Sequence, residues 1–142
     1  QAKKPLKSTS LMSFKEIAVG DHSFQGKEKP IRLKDLIENP LISLGQGSTT
    51  YEFYSKFFLE NDLVLSPDTE VETIDQVLPL IMNGLGIGFL PELFVRPVIE
   101  EGKVCQIPLK ENIPEREICL VENHTFPPSI TAEMFKKMLV LK

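Results

Sequence analysis

EVETIDQVLPLIMNGLGIGFLPE, residues 70–92, carries the pattern that decides the fold. Glu70 to Glu72 opens it as a short strand candidate. Thr73 and Gln76 have capping-box spacing, with a hydroxyl and an amide placed to serve each other's backbone N–H at a helix start. Ile74, Val77, Leu78, Ile81 and Met82 then follow the 3.6-residue period. Pro79 falls inside that run and predicts a bend, at a nominal cost of about 3 kcal/mol in an ideal helix. Gly84 is the natural stop. Gly86 to Leu90 (GIGFL) is a compact apolar strand, and Pro91 suits the first position of a following short helix that Pro97 breaks or redirects. The glycines at 84, 86 and 88 do not read as a dinucleotide site. That fingerprint needs strand, turn and helix in that order, whereas these follow a helix and enter a strand. A helix C-cap and tight strand packing explain them.

Upstream, Leu41 to Leu44 (LISL) is nearly all apolar, as strands buried on both faces are. The loop Gly45 to Thr50 (GQGSTT) follows, then an aromatic helix from Tyr51 to about Asn61, with Thr49 and Glu52 at capping-box spacing. Tyr51, Tyr54 and Phe58, with Phe53 and Phe57 beside them, give this helix a wide apolar face. Leu33 to Glu38 reads as a single helical turn ended by Asn39-Pro40. Lys15 to Gly20 (KEIAVG) is a short strand. Residues 1–12 are polar and lysine-rich and read as a linker or incoming tail. Downstream, Val104 to Leu109 and Arg116 to Glu122 are strands, and Pro127-Pro128-Ser129 opens a terminal helix with a stripe of Ile130, Met134, Phe135, Met138 and Leu139. Short apolar strands alternating with helices predict an α/β fold with a mostly parallel sheet and right-handed crossovers.

Composition sets the class. Hydrophobic residues at 42% and charged residues at 25% suit an ordinary globular domain. The formal charge is −4, which disfavours DNA binding by this stretch, because that affinity comes mainly from phosphates neutralised by Lys and Arg. Residues 1–34 hold eight Lys or Arg against three acids, but these are diluted by Leu, Ser and Pro and read as solvated surface. No apolar run approaches the roughly 20 residues that span a bilayer, and no signal-like segment opens the chain. Cys105 and Cys119 sit in strand-like runs. They read as buried free thiols of a reducing cytosol, with a disulfide open only if their strands pair.

Two edges can hold a ligand. The loop carrying Gly47, Ser48, Thr49 and Thr50 follows a buried strand and opens a helix, where free N–H groups and hydroxyls bind carboxylate, sulfate or phosphate. The same residues also serve a plain helix cap. Glu70, Glu72 and Thr73 likewise end a strand and begin a helix. One glutamate there can receive a cationic ligand group, and solvated caps read the same way. No phosphate-loop pattern or nucleophile elbow is present. His22 and His124 have no companions at metal-ligand spacing. The expectation is no enzyme, no cofactor and no metal.

Read in order, Ile17 to Phe24 (IAVGDHSF), Ile31 to Ile42 (IRLKDLIENPLI), Gly47 to Phe58, Glu70 to Glu92, Gly102 to Leu109 and the final strand and helix resemble, across nearly the whole length, the effector-binding domain of LysR-type transcriptional regulators. The run GLGIGFLPE is the most specific piece, together with the upstream KDL and GSTT. Asp21-His22-Ser23-Phe24 lacks the proline that commonly follows this histidine, and Pro79 is unusual. The resemblance implies a two-lobed fold like type 2 periplasmic binding proteins, with an effector in the cleft between lobes. It places Gly47 to Thr50 and the Glu70 to Thr73 turn near that cleft. On this reading residues 1–12 are a hinge-proximal tail, 13–123 the second lobe and 124–142 a return segment and helix toward the first lobe. The implied partners are a small, anionic effector and a second copy, with Tyr51, Phe53, Tyr54, Phe57 and Phe58 at or near the oligomer interface. DNA is reached only through a winged helix-turn-helix domain absent from this chain, in a cytoplasmic parent. The alternative class is a fragment of a transport-type solute-binding protein.

Overall fold

The computed structural model describes residues 6–123. The expected terminal helix and His124 lie outside the described residues. Residues 15–114 form one compact unit, and the strands on either side of it belong to another. The strand at 116–123, assigned by sequence to the main lobe, therefore falls in the second unit.

In the main unit, β2 (Glu16–Gly20) lies between β5 (Gly88–Pro91) and β6 (Cys105–Ile107), antiparallel to both. β3 (Ile42–Leu44) pairs in parallel with β4 (Thr69–Val71). The chain leading into β3 bridges in parallel to that leading into β5, through Leu41 and Ile87. Four strands thus run one way and β2 runs against them, so the sheet is mixed. Because β2 sits between two of the four, both of its ladders are antiparallel, which composition could not reveal.

Both faces are covered, which is why Ile17, Ala18 and Val19 are all buried in succession. One face carries α1 (Leu33–Leu36) and α2 (Thr49–Glu60), with Leu33, Leu36, Tyr54, Phe57 and Phe58 packed around Ala18 and Ile87. The other carries α3 (Val77–Met82) and α4 (Glu92–Glu100), with Val77, Ile81 and Val95 against Ile17, Val19 and Leu90. Each fully buried Leu, Ile, Val or Phe among them contributes about 1.5–3 kcal/mol.

The prolines behave differently from expectation. The run after Thr73 divides into a 3-10 turn (Ile74–Gln76) and α3, so Pro79 is the third helical residue. First-turn N–H groups have no intrahelical acceptor, so its missing donor removes nothing there. Pro97 does not break α4, which runs on to Glu100. Val95, Val98 and Ile99 hold that helix against the core, while Pro97 and Leu93, whose carbonyl loses its donor, are exposed.

α3 ends as expected at Gly84, which has φ +73°. The Gly84 N–H donates to Ile81 O at 2.9 Å and Leu85 N–H to Leu80 O at 3.0 Å, a Schellman motif. Gly86 permits close strand packing, since a β-carbon there would lie 2.7 Å from the Pro40 carbonyl oxygen.

The other unit contains β1 (Leu6–Phe14), paired antiparallel with β7 (Arg116–Asn123) and irregular between Ser10 and Met12. From Leu6 onward the expected linker is therefore a strand. A polar Lys-Ser-Thr-Ser run has no apolar alternation in its sequence to mark it as one, and its pairing with a distant segment makes the strand.

Candidate functional site

Parallel pairing of β3 with β4 sets Ser43 opposite Glu70 and Leu44 opposite Val71. The segments leaving their C-terminal ends emerge on one edge, where ligands of open α/β sheets collect. The Gly45 N–H donates to Val71 O at 3.2 Å. A β-carbon at Gly45 would lie 3.1 Å from the Glu70 carboxylate. The two ligand edges read separately in the sequence are thus neighbours, with Glu70 beside the loop.

Ser48, not Thr49, caps α2. Its backbone is extended, and its Oγ accepts from the Tyr51 N–H at 3.0 Å. Thr49 is already the first helical residue, past the position from which a side chain can fold back. The Ser48 hydroxyl also donates to Gly45 O at 2.9 Å, so it is occupied in both directions. Gly47 has φ +93°, which a side chain would oppose. The exposed Thr49, the opening N–H groups and the positive end of a twelve-residue helix face the same edge.

Thr50 lies deeper. With Tyr54, Phe89, Ile74, Val77 and Leu41 it lines a mainly apolar cavity of about 20 Å³, room for about one water molecule. Thr73 and Gln76 do form the expected capping pair. Gln76 Oε1 accepts from the N–H groups of Glu72 at 2.9 Å and Thr73 at 3.1 Å. Glu70, Glu72 and Thr73 are all exposed. Gly45 to Thr50 and Glu70 to Thr73 contain two glutamates and no Lys or Arg. An anion bound by these residues relies on backbone N–H groups and the helix dipole.

The aromatic face of α2 turns inward. Tyr54, Phe57 and Phe58 are buried in the core, and Tyr51 and Phe53 are half-buried against it. Tyr54, Phe57 and Phe58 are therefore closed to a second copy of the chain in this fold, because α1, the sheet and the Leu63–Leu65 segment enclose more of the helix than one sheet face could. Leu59, at 60% exposure, and Val64, at 73%, are the large apolar side chains left outward here.

Sequence reasoning missed Glu16, whose carboxylate is buried and accepts a hydrogen bond from the Tyr54 hydroxyl. The available signal was its shared strand face with Ala18, two residues on. Elsewhere, Asp21 is held below the usual carboxylate range by hydrogen bonds from the Ser23 hydroxyl and N–H. The Cys105 thiol is pushed up by burial, and then by the Asp21 charge. Cys105 is a free thiol, and β6 and β7 pair with different strands. Among the described residues no three His, Cys, Asp or Glu gather as a metal site, and no helix is long and apolar enough to cross a membrane.

The chain matches the LysR substrate binding domain family over residues 5–140. It belongs to that family: it is a LysR-type effector-binding domain, a ligand-sensing module and not an enzyme. It is 29% identical over 101 residues to the uncharacterized HTH-type transcriptional regulator YwqM of Bacillus subtilis strain 168, covering 71% of this chain and 34% of that protein. The chain thus spans about a third of that relative's length. Its fold is similar to the effector binding domain of QuiR in complex with shikimate, with TM-score 0.76, 18% identity and coverage of 97% and 66% of the two chains. It is also similar to the Synechocystis PCC6803 CcmR regulatory domain in complex with 2-PG, with TM-score 0.78, 13% identity and coverage of 99% and 69%.

Proposed function

We propose that this domain senses a small organic acid within a transcription regulator, and that the acid is held at the shared edge of Gly47 to Thr50 and Glu70 to Thr73. The carrying observation is the β3–β4 pairing, which sets the Glu70 carboxylate beside Gly45, in the loop that leads into α2. The helix end receives the acid group, and Glu70 receives a hydroxyl or ammonium group of the same ligand. QuiR with shikimate, a hydroxylated acid, supports this class by analogy of fold. Residues 15–114 serve as the second lobe. DNA is contacted by another domain of a cytoplasmic parent, and the parent self-associates. The outward face of α2 around Leu59 is the part of that helix a second copy can reach.

Calorimetric titration of the full-length parent with small hydroxylated and amino acids tests the site. Binding that weakens in the Ser48→Ala/Thr49→Ala variant, and in Glu70→Gln for ligands carrying the donor, is expected. Unchanged affinity in both variants removes this edge from the site. In gel shifts on the parent's promoter, the parent is retained and this chain alone is not. Sequence-specific retention of the chain alone would contradict the division of labour.

A further inference from the structure

Glu16 is a buried acidic residue, at 5% exposure. Ala18 pairs with Phe89 across the β2–β5 ladder, so Glu16, Ala18 and Phe89 share the sheet face that α2 covers. Tyr54 lies across that face. Its ring stacks on Phe89 at 4.5 Å and meets the edge of Phe53 at 5.0 Å, while its hydroxyl donates to the Glu16 carboxylate. Tyr54, Phe89 and Thr50 line the cavity beneath the first turn of α2. An apolar pair of the same shape would keep the stack and avoid burying a carboxylate, and such replacements are often neutral or stabilising. What the polar pair adds is direction, since a hydrogen bond to one carboxylate oxygen fixes the ring tilt that a stack leaves loose.

We infer that Glu16 is a positioning residue of the ligand site: its carboxylate fixes the Tyr54 ring in the cavity wall and so sets the shape a ligand meets at Thr50. This rests on the reading that the N-terminal edge of α2 takes the ligand.

The chain contains two tyrosines and no tryptophan, so in a Tyr51→Phe background its emission comes from Tyr54. A carboxylate acceptor quenches tyrosine emission, and Glu16→Met is expected to brighten it. In the ligand-free chain, the Thr50 methyl and Phe89 ring NMR signals move by more than their linewidths in Glu16→Met/Tyr54→Phe. They return in Glu16→Gln, whose amide oxygen still accepts from Tyr54. The double variant melts at or above the wild-type temperature. Thr50 and Phe89 signals that stay in place in the double variant, or move equally in Glu16→Gln, overturn the inference. A double variant melting below wild type assigns the pair to stability alone and overturns it too. Titration of wild type with shikimate, followed at the Thr50 methyl, bears on the ligand-binding reading and leaves these ligand-free results standing.

Discussion

Replacing Ser48 with alanine isolates the hinge between cap and loop at the α2 start. The hydroxyl accepts from Tyr51 N–H at 3.0 Å and donates to Gly45 O at 2.9 Å. Loss of the cap costs about 1 kcal/mol, and loss of the second, partly solvated bond about 0.5 kcal/mol more. At an unfolding entropy near 2.1 cal/mol/K per residue, a chain of this length loses about 5 °C in Tm for a change of about 1.5 kcal/mol. Thr49→Ala, at an exposed first helical position, changes stability by under about 0.5 kcal/mol. Thermal melts by circular dichroism, with urea midpoints at unchanged slope, measure both. A Thr49→Ala loss that equals or exceeds that of Ser48→Ala would refute the capping geometry and restore the assignment made from sequence spacing.

Asp62 follows α2 at φ +63°, the left-handed region, so Asp62→Gly is expected to stabilise the chain by about 0.5 kcal/mol; a lower urea midpoint would contradict this. Gly86→Ala drives a β-carbon to 2.7 Å from the Pro40 carbonyl oxygen and is expected to cost about 2 kcal/mol or more, read as a lower Tm. The Cys105 thiol, raised chiefly by burial and then by Asp21, holds less thiolate than a free cysteine near pH 8.5. In a Cys119→Ser background it should therefore react more slowly with a maleimide than glutathione does, and faster in Asp21→Asn. Because its folded pKa is raised, folding favours the protonated thiol, and that contribution is lost as pH rises above the unfolded value. Equal rates in the two proteins would remove Asp21 as a cause.

Local patterns were sufficient wherever one short segment carried its own signal. Ile74 to Gly84 declared a helix and its stop, since an amphipathic period and a left-handed glycine are properties of neighbouring residues. LISL and GIGFL declared buried strands for the same reason, and together with the family motifs they were enough to name an α/β effector-binding domain. Three matters depended on pairing between distant segments. The Lys-Ser-Thr-Ser stretch became β1 only through β7. The aromatic residues of α2 are core because Ala18, Phe89 and Leu65 meet them, and no helical period states how much of a helix its neighbours enclose. Ser43 and Glu70 are far apart in the chain, yet the β3–β4 register puts their loops on one edge. Residue identity and spacing determined each element and its capping chemistry, whereas strand order and register, set by long-range burial, decided which loops meet at one edge and buried Glu16 against Tyr54.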